Sequence, residues 1–188
     1  METPDLVLEP VGILAGRYQL RPPSLADAED VLAIAQDPEI RMWNALTSVT
    51  DEETARAWCQ KWSDWSGGTT AQWGVFAAAE GKLLGAISLF GIDTRNSSAE
   101  IGYRVAPWAR SQGVGTAALS AVADWAFGTL SLTRLQLLHG LENAASCRVA
   151  EKSGFVLEGA LRSSYRYGDG ELHDEHMHAR LASDPAPS

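Results

Sequence analysis

Glu100-Ile101-Gly102-Tyr103-Arg104-Val105-Ala106-Pro107, followed by Arg110-Ser111-Gln112-Gly113-Val114-Gly115-Thr116, decides how this chain is read. The first run alternates as a strand does and stops at a proline, which has no N–H to give to a ladder. After Gly115 the apolar residues Ala117, Ala118, Leu119, Ala121, Val122, Trp125 and Ala126 fall on one broad helical face. The two glycines therefore sit where a strand ends and a helix begins.

A helix's first turn leaves its backbone N–H groups unpartnered, and the helix dipole adds partial positive charge there. Glycine at 113 and 115 lets that backbone approach a ligand closely, and Arg110 adds a cation. The ligand implied is an anion of the pyrophosphate kind, held by Arg110, Gln112, Gly113, Val114, Gly115 and Thr116. A dinucleotide fingerprint is excluded because no third glycine follows at the required spacing. A P-loop is excluded because Thr116 stands where lysine is needed.

Working outward, Arg17 to Arg21 alternates and ends at Pro22-Pro23, so it reads as the first strand. Ser24 with Asp27 resembles a cap before a helix that runs to Asp37-Pro38. Thr50 with Glu53 signals a second helix, stopping at Gly67-Gly68. In that helix Trp58, Trp62 and Trp65 are spaced to share one face, with Trp43 just upstream. Two readings stay open for this stripe: the wall of an apolar acceptor cleft, or ordinary packing on the sheet.

Gln72 to Ala79 and Leu83 to Phe90 read as a hairpin. Leu135 to His139 lies too far beyond the central strand for one and is expected to run parallel to it through a crossover. Asn143 can cap a helix that Gly154 ends, and Phe155 to Tyr167 with Glu171 to Leu181 make a final hairpin. The expected organisation is one α+β domain over 16–182, with 1–15 a loose lead-in and 183–188 a tail. Its sheet is mixed and mostly antiparallel, with helices on both faces and one central parallel pair.

The 188 residues suffice for one filled core, and 45% hydrophobic with 21% charged residues is ordinary for a globular chain. No apolar run reaches the length of a membrane span, and the first ten residues carry three acids and no base, unlike a signal peptide. The expectation is a cytoplasmic protein. Cys59 and Cys147 form neither a disulfide framework nor a metal pattern. A formal charge of −9 argues against a nucleic-acid footprint and suits a cationic acceptor.

Arg110-x-x-Gly113-x-Gly115 after a strand, then Asn143-x-x-Ser146 and Glu151-Lys152-Ser153-Gly154-Phe155, resembles the acetyl-coenzyme A core of the GNAT N-acetyltransferases. Ala99 to Tyr103, the Ser146 spacing and the segment from Leu157 to Asp174 resemble the Rim-type branch, which acetylates N-termini of ribosomal proteins and other amines. The resemblance implies acetyl-CoA as co-substrate and a central parallel pair that splays open around the pantetheine arm. Backbone near Tyr103 and Val105, freed by a bulge, would polarise the thioester, and Asn143 would hold the pantetheine amide. Glu100 would act as general base. Many family members carry a tyrosine seven residues after the asparagine, but here that position is Ala150, so Ser146 is the expected helper of the leaving thiolate. Trp43, Trp62 and Tyr165, with Tyr167 in reserve, are the expected acceptor-side residues.

The acceptor implied is an amine, first a peptide N-terminal α-amine and second a small-molecule amine. A non-catalytic acyl-CoA-binding module is the reading from another class, and a homodimer is left open. His173, His176 and His178 invite a metal reading. Spacing offers no cysteine or fourth ligand to complete it, so no metal is expected.

Overall fold

Alternating apolar residues on both sides of Gly16-Arg17 fold the chain's start into a hairpin, β1 (Ile13–Ala15) and β2 (Tyr18–Arg21), in this computed structural model. The structure describes residues 7–43 and 48–187. The end of the stretch read as lead-in is thus a strand, tied down where the Trp73 indole donates to the Val11 carbonyl at 2.8 Å.

Three helices follow where two were expected: α1 (Ala28–Ala35), α2 (Pro38–Trp43) and α3 (Glu52–Ser63). Pro38 opens a new helix because its missing N–H is no loss at a first turn. The cap of α3 is Asp51, whose carboxylate accepts from the Thr54 N–H at 2.8 Å, so Thr50 with Glu53 is the wrong pair by one residue.

The sheet is completed by β3 (Ala71–Ala77), β4 (Leu83–Asp93), β5 (Ser98–Val105), β6 (Arg134–Gly140), β7 (Val156–Arg166) and β8 (Leu172–Leu181). Among the described residues its eight strands run in the order β1-β2-β3-β4-β5-β6-β8-β7, and β5–β6 is the one parallel pair. Helix α4 (Val114–Thr129) makes the crossover between these two strands, and α5 (Ala144–Lys152) follows β6.

Side chains alternate across the sheet, so β5 divides the molecule into two faces. Tyr103 and Val105 point to the face that α4 covers, where both lie near Gly115. Gly102 and Arg104 point to the other face, where the Arg104 guanidinium lies over the Trp58 ring of α3 at 5.3 Å.

The tryptophan stripe does not survive folding. Trp58 and Trp62 pack together at 6.3 Å, but α3 ends before Trp65, which is buried against Trp73 at 4.6 Å in a cluster with Trp125 of α4.

The parallel pair is short. Only Ser98, Ala99 and Glu100 register with Arg134, Leu135 and Gln136. Beyond them β5 stays with β4 as far as Val105, while β6 stays with β8 as far as Gly140. The two strands therefore diverge and leave an opening in the middle of the sheet.

Candidate active site

The divergence, rather than a bulge, frees backbone groups on β5. The register between β4 and β5 is unbroken from Gly85↔Val105 to Phe90↔Glu100, and its only shift lies further on, between Phe90 and Asp93. Ala106 donates to the Leu84 carbonyl, so antiparallel alternation directs the N–H groups of Gly102 and Arg104 to β4. Those of Tyr103 and Val105 are turned into the opening.

Beside this free edge lies a cleft of about 720 Å³. Its lining includes Tyr103, Val105, Arg110, Gly113, Val114, Gly115, Thr116, Asn143 and Ser146, which brings together all but one of the residues expected to hold the cofactor. The exception is Gln112. Its carbonyl accepts from the Tyr18 hydroxyl at 2.6 Å and from Arg17 at 2.9 Å, and its amide donates to the Trp108 carbonyl. Gln112 therefore anchors the loop to β2 instead of facing the cleft.

The two glycines serve different ends. Gly113 has φ of 80°, the left-handed region, and no atom lies within 4 Å of where a Cβ would stand, so the helix start is open to a ligand. At Gly115 a Cβ would come within 3.1 Å of the Tyr103 ring, so glycine there lets α4 pack closely on β5.

Arg110 differs from expectation. Its guanidinium meets Asp37 at 2.5 Å and Glu39 at 3.0 Å, tying the loop to the start of α2. Burial pushes the Asp37 carboxyl up, but hydrogen bonds from Arg110 and from the Ile40 and Glu39 N–H groups outweigh it and hold the group below the usual carboxylate range. Cations without carboxylate partners among the described residues stand elsewhere on the cleft: Arg148 and Lys152, exposed on α5, of which Arg148 belongs to no motif and Lys152 lies in Glu151-Lys152-Ser153-Gly154-Phe155 with no role assigned to it there.

Asn143 caps α5, its side-chain oxygen accepting from the Ser146 N–H at 3.1 Å. One turn into the helix, the Ser146 hydroxyl lies 3.1 Å from the Tyr103 hydroxyl. Burial, above all, pushes the Tyr103 phenol up to about 12. A phenol thus does stand in the site, supplied by β5 and not by α5, where Ala150 is fully buried. Alternation along β5 fixes the face on which Tyr103 stands, but no spacing rule links it to Ser146, 43 positions further on.

A second, smaller cleft of about 120 Å³ opens to the opposite face of β5 at Ser88, Phe90, Gly102 and Tyr167, and His139 lines it from the α5 side. The two clefts share Trp43, Tyr103, Arg104, Asn143 and Ser146, so they meet at the Tyr103–Ser146 pair.

Of the acceptor-side candidates, Trp43 lines both clefts and packs edge-on against Tyr167 at 5.2 Å. Trp62 and Tyr165 line neither. Trp62 is half-buried beside Trp58 on α3, and Tyr165 is 43% exposed on the edge strand β7. Tyr167 takes the place expected of Tyr165, its hydroxyl donating to Glu175 at 2.8 Å.

Glu100 lines neither cleft but shares a sheet face with Gly102 and its cross-strand partner Phe90. Burial and the nearby Glu175 charge raise its carboxyl, against a hydrogen bond from Gln136. Arg104 carries no motif and has no role in the sequence reading. It has no carboxylate partner among the described residues, its Nε is buried without a hydrogen bond, and burial lowers it to about 10.

The expectation that no fourth metal ligand exists also needs correcting. The topology brings His139 of β6 and Cys147 of α5 to His176 and His178 of β8, with one ligand atom from each lying within 4.8 Å of the others.

The family model of the acetyltransferase (GNAT) domain matches residues 17–156. The chain is 29% identical over 166 residues to the uncharacterized N-acetyltransferase p20 of Bacillus licheniformis, covering 88% of this chain and 93% of that one. It is 32% identical over 102 residues to the ribosomal-protein-serine acetyltransferase of Escherichia coli strain K12, spanning 54% of this chain and 56% of that one. A solved structure described as a probable acetyltransferase superposes with a TM-score of 0.81 at 28% identity, covering 92% of this chain and 97% of the other.

Proposed function

The chain belongs to the GNAT acetyltransferase family and is by that membership an N-acetyltransferase; on this premise we propose that it acetylates a peptide N-terminal α-amine from acetyl-CoA. One observation carries the reading. Two clefts enter from opposite faces of the sheet and meet where the β5 edge is free, at Tyr103 and Ser146. That is the arrangement direct transfer between two bound substrates requires, with no acyl-enzyme between them.

The larger cleft suits the co-substrate. Its open, left-handed Gly113 at the head of α4 accommodates a diphosphate, and Arg148 and Lys152 supply countercharge. The N–H groups of Tyr103 and Val105 run along the pantetheine path and offer donors to a polarised carbonyl. In the transfer, the amine nitrogen attacks the thioester carbon, the C–S bond breaks, and the sulfur leaves as thiolate. Tyr103, kept protonated by burial, and Ser146 are the hydroxyls assigned to returning a proton to it. Arg104 places positive charge where the clefts meet and the thiolate forms.

The smaller cleft receives the acceptor, with Glu100 on its face as base for the amine's proton. An α-amine titrates near 8 against about 10 for an alkyl amine, so a raised carboxylate serves it better. The E. coli relative, named for acetylating a ribosomal protein, supports the same choice. The small volume of this cleft favours the second reading, a free small-molecule amine.

Release of free thiol from acetyl-CoA, measured over peptides, polyamines and amino acids, followed by mass location of the acetyl group, tests the proposal. Acetyl on peptide N-termini is the expected result. Turnover with small amines alone would select the second reading, and coenzyme binding without acceptor-stimulated release would select a binding module.

A further inference from the structure

The side of the sheet covered by α4 and α5 carries a cluster that the transfer chemistry leaves unused. His139 and His178 are 5% and 0% exposed, and their Nε2 atoms face each other at 3.2 Å. The Nδ1 of His139 lies 2.9 Å from the Gly140 carbonyl, and that of His178 lies 3.4 Å from the Phe155 carbonyl. A carbonyl oxygen only accepts, so the tautomer that satisfies both carbonyls has its hydrogen on each Nδ1 and turns an Nε2 lone pair of each ring toward the other. In that tautomer the two lone pairs, 3.2 Å apart, repel, and a cation bound between them relieves the repulsion.

Two more soft donors converge on the same point. The Cys147 Sγ lies 3.8 Å from the His178 Nε2. His176 stands beside both rings, and its Nδ1 is buried without a hydrogen-bond partner among the described residues. All four residues offer a ligand atom within 4.8 Å of the rest. A tetrahedral zinc ion with Zn–N near 2.0–2.1 Å and Zn–S near 2.3 Å sets its ligand atoms about 3.3–3.6 Å apart, close to the two separations already present.

We propose that His139, His176, His178 and Cys147 form a closed, four-ligand site for a zinc-type divalent cation, joining β6, β8 and α5. Three imidazoles and one thiolate match the ligand preference of zinc over that of hard, oxygen-seeking cations. The backbone carbonyls at Gly140 and Phe155 are the outer partners that hold two of the rings in the metal-binding tautomer. On binding, the Cys147 thiol releases one proton to solvent as its sulfur takes the place of a metal-bound water. His139 also lines the smaller cleft. With four protein ligands the site leaves no position for substrate, so its role is to pin α5, the helix that begins after Asn143 and carries Ser146, to the sheet. This inference does not depend on which amine is acetylated.

Cobalt(II) titrated into the full-length, untagged, chelator-stripped protein tests it without any variant. The expected result is saturation at one equivalent, visible bands of tetrahedral cobalt, a thiolate-to-cobalt charge-transfer band, and loss of all of these on adding one equivalent of zinc. Cys147→Ser should abolish the charge-transfer band and weaken zinc binding at least tenfold. His176→Ala, at the least buried of the three histidines, should weaken it similarly. An octahedral cobalt spectrum, no saturation at one equivalent, or zinc affinity unchanged in both variants would overturn the proposal.

Discussion

Single residues decide whether the co-substrate reading holds, and Gly113 is the sharpest case. Its left-handed backbone makes Gly113→Ala cost about 1 kcal/mol, with no steric clash to add since the space around it is open. Gly113→Glu should lose a similar amount of stability yet reduce acetyl-CoA affinity at least tenfold, because a carboxylate then sits against a diphosphate. Thermal melts and calorimetric titration of both variants separate the two effects, and equal coenzyme affinity in both would remove the loop assignment. Arg104 makes the opposite case. A half-buried cation without a carboxylate partner is costly to keep, so Arg104→Met should melt at the same temperature or higher while kcat/KM falls by about two orders of magnitude. A lower melting temperature with unchanged kinetics would mark Arg104 as structural. Glu100 can be read from a pH profile. As a base it acts only when deprotonated, and its raised folded pKa puts the loss of rate at a higher pH than for an ordinary glutamate. With an α-amine acceptor, log kcat/KM should fall with a slope of one below the amine pKa and of two below that of Glu100. Glu100→Gln should remove the second step, and an unchanged profile would demote Glu100.

Among the elements, the turn from β2 into α1 rests on one buried carboxylate. Asp27, 7% exposed, accepts from two Arg21 nitrogens, both at 2.8 Å, and from the Ser24 N–H at 2.7 Å. Burial pushes its pKa up, but these hydrogen bonds more than offset that and leave it lowered. A lowered folded pKa gives stability that is complete above the unfolded value and lost as pH falls through the folded one. Asp27→Asn should therefore destabilise the protein by about 2–4 kcal/mol at neutral pH and flatten the acid side of the stability curve, as denaturant melts from pH 7 to pH 3 would show. Ser24-x-x-Asp27 was legible because capping is a local affair, and so were the β3–β4 and β7–β8 hairpins and the stop at Gly154, whereas β1 fell in the stretch read as lead-in. What was not legible depended on distant partners. Arg110 carries the motif, but Asp37 and Glu39 claim its charge. Gln112 turns away because Arg17 and Tyr18 reach its carbonyl from β2. Helical spacing placed Trp65 with Trp58 and Trp62, yet α3 ends at Ser63 and the indole joins Trp73 and Trp125.

At the scale of the whole molecule, function follows from where one parallel pair gives out. Three registered residues hold β5 to β6, and beyond them each strand keeps its antiparallel neighbour. The opening exposes backbone donors, joins a cleft on each face, and sets the Tyr103 and Ser146 hydroxyls where the clefts meet. The sequence implied the splay only through its family resemblance, since alternation marks strands but not where they separate. Two helix starts face this opening, α4 at Gly113 and α5 at Asn143, so motifs far apart in the chain come to line one cleft. Tyr103→Phe should leave both clefts intact, so coenzyme affinity should hold within about twofold while kcat drops about tenfold or more. Equal losses in both would indicate that the phenol supports packing instead.

A crystal of the protein grown with coenzyme A tests the central claim most directly. The diphosphate is expected on the backbone N–H groups at residues 113–116 and the pantetheine arm along the free edge of β5 by Tyr103 and Val105, with its sulfur near Tyr103 and Ser146. Coenzyme bound away from the opening between β5 and β6, or a sulfur distant from both hydroxyls, would contradict it.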